Sequence, residues 1–258
     1  MKLSKAFGIL YQLAHIVRIA FLPTLREITR TPWILAHPTQ LSQLFMSFVW
    51  GFFGDVLDEN SKGVKESLIT PYAHGVVLDI GAGHGHTVNY LDVTKVTKYI
   101  ALEPNPHMHV EIRKKATLSV GFSEDKGNFI LLPFGAEETG LIVSALGGVH
   151  SADTLISILT LCSVPEPEIA IPGLVHQALR PGGTLLYLEH VQSDRDDVAW
   201  WQRFWAPVWK AAFGGCTLGR PTDIIIERLN VWERKEIVGF EGEDQESLIV
   251  HSIGRLMK

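Results

Sequence analysis

Cysteine is nearly missing: Cys162 and Cys216 are the only two thiols in 258 residues. Two thiols cannot build a disulfide framework, and they suit a reducing compartment. Basic excess is missing too. Lys plus Arg total 23 against 28 Asp plus Glu, a net charge of −5, which argues against a general nucleic-acid binder with its basic face. No uninterrupted apolar run reaches the roughly 18 residues of a membrane span. Internal repeats and low-complexity linkers are absent as well. What remains is ordinary for a globular protein: 46% hydrophobic and 20% charged residues, with enough chain for one large α/β core. One value stands slightly high, the mean hydropathy of +0.15. That apolar surplus needs an address.

Two N-terminal segments hold part of it. From Ala6 to Leu22 the apolar residues Ala6, Ile9, Leu10, Leu13, Ile16, Val17, Ala20 and Phe21 follow helical spacing, and Pro23 is expected to end the helix. Leu41 to Leu57 is a second helical run, weakened by Gly51 and Gly54. Residues 1–30 carry Lys2, Lys5, Arg18, Arg26 and Arg30 against Glu27 alone. Such a helix either packs on the domain, closing over its pocket, or lies on a membrane surface. A signal peptide is not expected, because Arg18 interrupts the apolar core.

From residue 76 the texture changes. Short apolar runs alternate with helical stretches: 76–80, 99–103, 129–132, 153–161, 184–190, 236–240 and 248–252. This is the pattern of βαβ units around a parallel sheet. The first run leads into Asp79-Ile80-Gly81-Ala82-Gly83-His84-Gly85. Glycines there permit a tight turn and close approach of a ligand to the backbone. A following helix toward Leu91 would aim its amides at that ligand. Twenty residues after Gly83, Glu103 closes the second strand, where an acid can accept hydrogen bonds from ribose hydroxyls. One residue separates each pair of glycines, unlike the dinucleotide fingerprint, and no Walker-type Lys-Ser/Thr follows. A nucleoside-containing cofactor is therefore expected.

On these residues the chain resembles the class I S-adenosylmethionine (SAM)-dependent methyltransferases. The resemblance covers residues 75–195. Asp79, Gly81, Ala82, Gly83 and Gly85 match the family's first motif, and Glu103, followed by Pro104 and Asn105, its ribose-binding acid. Ala136 and Glu137 match the adenine-contacting turn after strand three. Thr160 and Leu161 follow strand four, and Leu179-Arg180-Pro181-Gly182-Gly183 is the turn before strand five. The run Leu159 to Val164, Leu188 to Val191 and Gly215 to Leu218 resembles the branch containing membrane-associated thiol methyltransferases; related tailoring methyltransferases occur in fungal natural-product pathways. The resemblance implies SAM as cofactor, S-adenosylhomocysteine as product, and a Rossmann-like, seven-stranded, mostly parallel sheet flanked by helices.

Methyl transfer is an in-line displacement that rests on positioning, assisted by a base when the nucleophile carries a proton. Strand ends supply the base candidates: His190 foremost, then Glu189, with His86 in the glycine loop. Each has a plainer alternative, a hydrogen bond to a neighbour and no chemical role. His84 with His86, and His107 with His109, could suggest metal ligands, but no carboxylate or cysteine cluster at metal spacing supports them, so no metal site is expected. Cys162 and Cys216 read as buried small residues. Trp201, Trp205, Trp209 and Phe213 recur at four-residue steps and share a helix face. They either pack that helix on the core or, with Trp50, wall an apolar substrate pocket.

The expected organisation is a helical extension or lid at 1–70 and a SAM-binding domain at 71–258, with a helical aromatic insertion at about 195–230. The expected activity is methylation of a small apolar or amphipathic molecule at sulfur, oxygen or nitrogen, in the cytoplasm, with residues 6–22 open to peripheral membrane contact. The alternative is a protein that binds SAM but templates another reaction, such as a cyclisation, or scaffolds a partner. A nucleic-acid substrate is disfavoured by the acidic balance. It is also disfavoured because Thr160-Leu161-Cys162-Ser163 stands where an Asn/Asp-Pro-Pro-aromatic motif would be.

Overall fold

Val76-Val77-Leu78 and Tyr99-Ile100-Ala101-Leu102 are apolar on both faces, which only a strand covered on both sides satisfies. In the computed structural model, which describes residues 1–258 except the side chains of residues 119 and 120, they form the centre of a seven-stranded sheet. Its strands are β1 (Gly75–Ile80), β2 (Val96–Leu102), β3 (Phe129–Leu132), β4 (Ala152–Ile158), β5 (Leu179–Val191), β6 (Arg234–Gly239) and β7 (Val250–Met257). The order is β3-β2-β1-β4-β5-β7-β6. Strands β1 to β5 pair in parallel, and β7 runs antiparallel between β5 and β6. The order reverses between β1 and β4. Open α/β sheets bind ligands at the carboxyl ends of the strands flanking such a switch point.

Helices α1 (Leu3–Arg30), α2 (Pro38–Asn60) and α3 (Lys62–Ile69) precede the sheet. The others are α4 (His109–Lys115), α5 (Thr139–Ala145), α6 (Pro167–Gly173), α7 (Asp196–Ala212) and α8 (Thr222–Glu227). One apolar cluster on each sheet face covers the sheet. Tyr187, Leu155 and Leu174 lie in one; Tyr99, Ile112 and Phe122 lie in the other. A third cluster lies off the sheet. It joins Ile9, Ile16 and Ala20 of α1 and Val49 of α2 to Trp205 and Trp209 of α7, with Cys162 and Cys216.

Several sequence expectations move. Pro23 does not end α1, which continues to Arg30. Ala20 and Thr24 are buried around it, and that burial offsets the roughly 3 kcal/mol proline penalty. Extended so, α1 is long and apolar enough to cross a membrane by length and composition. Gly51 and Gly54 do not break α2. A side chain at Gly54 would stand 2.9 Å from the His86 ring, so glycine there buys close approach of α2 to the glycine loop. No full helix follows that loop; a single 3-10 turn spans His86–Tyr90. Strand β4 stops at Ile158 rather than 161, because Leu159 takes a left-handed φ of 56°. Strand β7 runs on to Met257, past the expected end at 252.

Candidate functional site

The turn after β1 has Gly81, Gly83 and Gly85 at φ of +66°, +56° and +76°, a region that strains any residue with a Cβ. Gly81 has a second reason to lack one: a Cβ would meet Thr160 Cγ2 at 2.2 Å. Gly83 differs, for among the described residues nothing lies within 4 Å of where its side chain would point. The backbone thus faces open space there, beside the acid of β2. Glu103 Oε2 accepts from the Gly83 amide and Oε1 from the Asn105 amide, both at 2.8 Å. A carboxylate has about four lone-pair sites, so two remain for ribose hydroxyls. This donor and acceptor set fits a nucleoside.

Asp79 lies beneath, almost fully buried, and accepts from the Tyr99 hydroxyl at 2.8 Å. Burial pushes its carboxyl up to about 6 against the Tyr99 and Thr87 hydrogen bonds. Burial likewise pushes Glu103 up to about 7, opposed by the amides of Asn105 and Gly83. Glu103 therefore takes up a proton in the free protein as the pH falls through about 7. Ribose hydroxyls donating to it favour the ionised form. Binding of S-adenosylhomocysteine is expected to release a proton near pH 6.5 and to tighten as pH rises toward 7. Calorimetry at pH 6.5 in buffers of different ionisation enthalpy reads this directly; an observed enthalpy independent of buffer would contradict it.

Glu189, expected as a base, is 0% exposed with both oxygens engaged. It accepts from Ser157 Oγ at 2.6 Å and from the amides of Thr160 and Leu161 at 3.0 Å. Burial pushes its carboxyl up to about 7. In this structure Glu189 clamps the chain where Leu159 is strained, and so holds Thr160 against Gly81. Thr160 Oγ1 donates to the Gly81 carbonyl at 3.2 Å, tying the β4 loop to the glycine turn.

His86 is engaged by a neighbour as well. Its Nε2 lies 2.7 Å from Asp55 Oδ1 of α2, an ion pair when the ring is protonated. Burial pulls the imidazole below its ordinary value, and the Asp55 bond opposes this. The pair latches α2 over the glycine loop. A second link runs from Asn105 Nδ2 to the Gln43 carbonyl at 2.8 Å. Pro104 is exposed beside it. Ala136 is buried and Glu137 exposed in the turn after β3, at the same sheet edge.

His190 ends β5, half-buried, with Nδ1 3.8 Å from Cys216 Sγ and its ring edge-on to His251 at 4.9 Å. Burial lowers its pKa, but the Cys216, Glu189 and Glu243 groups outweigh this and the net shift is upward. Trp205 packs edge-on against Phe7 of α1 at 5.7 Å, and Trp201 does so at 5.5 Å. Both indoles therefore serve first as packing between α7 and α1. Among the described residues the Trp205 indole N–H is buried without a partner. Trp50 is half-buried on α2.

Sequence reasoning missed the clamp by Ser157, the latch by Asp55 and the meeting of the two cysteines. Each joins residues far apart in the chain, so no local spacing announces it. Only Tyr99 could have been found from strand register: it pairs with Val77, two residues before Asp79 on the adjacent strand, and so lies diagonal to Asp79 on the same face.

Comparison with known proteins agrees with this geometry. The family model for a methyltransferase domain matches residues 55–224. That match covers most of the chain, and the protein belongs to the class I SAM-dependent methyltransferase family. Within it, the chain is similar to the human thiol S-methyltransferase TMT1B, 29% identical over 147 residues, 57% of this chain and 55% of that one. The rat TMT1B is 28% identical over 153 residues, 59% and 58% of the two chains. The chain thus matches little more than half the length of these relatives. An O-methyltransferase family protein from Burkholderia thailandensis shares the fold, with a TM-score of 0.61 at 16% identity over 95% of this chain and 72% of that one. A SAM-dependent methyltransferase from Leishmania major does so at 0.55 and 18%, over 86% and 82%.

Proposed function

We propose that the protein transfers the methyl group of SAM to a small apolar molecule, with a thiol sulfur as the preferred acceptor. One observation carries the reading: the open backbone face at Gly83 is set beside a buried Glu103 with lone pairs to spare, at the switch point of the sheet. Bound there, the cofactor supplies an electrophilic methyl on a sulfonium. Glu103 and the glycine turn hold the nucleoside. Thr160 and Leu161, clamped by Glu189, set the strand-four edge beside it. Residues 1–70 act as a lid on the 71–258 domain: α1 and α2 exclude water, latched by Asp55–His86 and Asn105–Gln43. His190 is the remaining base candidate. The thiol preference rests on the names of the TMT1 relatives.

The apolar surplus also fits membrane contact. Phe7, Leu10, Tyr11, Phe21 and Leu22 of α1 are exposed, as are Trp200, Phe204 and Val208 of α7. An exposed face of this kind marks an interaction surface. The protein is expected to co-sediment with phospholipid vesicles and to lose that on Phe7→Glu with Phe21→Glu; equal sedimentation of both forms would contradict it. An acceptor panel of an alkyl thiol, a phenol and an amine, each with SAM, tests the main reading. Methyl transfer to the thiol fastest is expected. Transfer only to the phenol or amine would overturn the acceptor choice. Turnover of substrate with no S-adenosylhomocysteine formed would favour the cyclisation alternative.

A further inference from the structure

The two cysteines of the chain stand 54 positions apart, yet their sulfurs meet at 3.2 Å beside the His190 imidazole. One ligand atom from each of Cys162, His190 and Cys216 lies within 4.8 Å of the others. The three come from three elements at the sheet's carboxyl edge: the loop after β4, the end of β5 and the loop after α7. The loops are joined by a hydrogen bond from the Thr217 amide to the Cys162 carbonyl at 3.0 Å. Cys162 is 1% and Cys216 7% exposed, while His190 is only half-buried, so the cluster is covered on the sulfur side and reachable from the imidazole side. Trp209 Nε1, which can only donate, points at Cys216 Sγ at 3.4 Å. A donor so placed supports a thiolate, and metal-bound thiolates are held by such outer hydrogen bonds.

We propose that Cys162, His190 and Cys216 form a three-ligand zinc site whose fourth position takes the acceptor sulfur as thiolate. Two thiolates and one imidazole are a soft donor set that selects zinc over magnesium or calcium. A tetrahedral ion with Zn–S near 2.3 Å sets sulfur atoms about 3.8 Å apart. The Cys162–Cys216 pair opens by about 0.6 Å from its 3.2 Å to admit it, and the 3.8 Å from Cys216 to His190 already suits it. Three protein ligands leave one open position, the arrangement of zinc sites that act on a ligand rather than staple a fold. A thiol entering there gives its proton to the departing zinc-bound water, and a zinc–sulfur bond replaces a zinc–oxygen bond. The sulfur is then held as the thiolate that methyl transfer needs, without a separate base. Thr160 and Leu161, next to Cys162, place it beside the cofactor cleft. No spacing in the sequence signals this site, which is why none was expected.

The proposal rests on the thiol reading above, and the test separates the two. Tag-free protein, grown with zinc and purified without chelator, is expected to carry one zinc per chain by elemental analysis. Cys162→Ser and His190→Ala are each expected to drop below a tenth of that while still binding S-adenosylhomocysteine. Cobalt substitution of the wild-type protein is expected to give thiolate-to-cobalt charge transfer and tetrahedral ligand-field bands, and the latter shift on adding butanethiol. This readout stands even if a variant fails to fold. Metal-free protein, or a Cys162–Cys216 disulfide in its place, overturns the site; if such protein still methylates thiols, the proposed function survives alone. Cobalt bands indifferent to butanethiol overturn the role of the fourth position. Zinc bound with no thiol methylated under any condition overturns the acceptor reading instead.

Discussion

Glu103→Ala is expected to weaken S-adenosylhomocysteine binding by at least about 100-fold while leaving the protein folded. The carboxylate does two jobs at once. It fixes the Gly83 and Asn105 amides at 2.8 Å each, and so shapes the turn that the nucleoside must enter. Its other lone pairs face the ribose. Hydrogen bonds to a charged acceptor contribute roughly 1.5–3 kcal/mol each, and every 1.4 kcal/mol is about tenfold in affinity. Two such bonds therefore give a loss of 100-fold or more. Glu103→Gln keeps one acceptor oxygen and is expected to lose less. It should also lose the proton release that ribose binding draws from Glu103, because its amide does not titrate. Calorimetric titration of both variants checks this. Binding within threefold of wild type in Glu103→Ala would mean that the cleft is elsewhere.

The second large effect is on stability. Glu189→Ala is expected to cost about 3–5 kcal/mol, since three buried donors, Ser157 Oγ and the Thr160 and Leu161 amides, lose their acceptor together. Leu159 sits at a φ of 56° and is strained for a side chain of its size. It stays there because the clamp over-determines the loop. Without the carboxylate the loop is expected to relax, withdrawing Thr160 from Gly81 and Cys162 from Cys216. The urea midpoint should fall with an unchanged slope, and cofactor binding should weaken as a consequence. Glu189→Gln, which retains one oxygen, is expected to fall between. A shift below about 0.5 kcal/mol, the scale of an ordinary surface change, would show that the carboxylate is no clamp.

These two acids were legible in different degrees. The seven strands, the glycine turn and the acid twenty residues on follow local rules, apolar runs, punctuating glycines and a strand-end carboxylate, so the sequence alone points to them. Strand ends drifted where a tertiary contact decided them: β4 stops early because Glu189 pulls its amides aside. Glu189 itself looked like chemistry because of where it stands, and only its filled lone pairs reveal a positioning role. His86 looked free in a glycine loop until α2 brought Asp55 to it. Pro23 looked like a stop until the buried Ala20 and Thr24 carried the helix past it. Trp205 shares its face with Trp209 as the four-residue spacing implies, but spacing cannot say whether that face meets a substrate or α1. The meeting of Cys162, His190 and Cys216 had no sequence signal at all.

The most direct measurement of the central claim is transfer of a trideuterated methyl group from labelled SAM to butanethiol, followed by mass spectrometry of both products. One labelled methyl thioether for each S-adenosylhomocysteine is expected, with the rate falling in Glu103→Ala. Labelled SAM returned intact in the presence of the thiol and of every other acceptor tried, or product formed at the same rate by Glu103→Ala, would contradict the account.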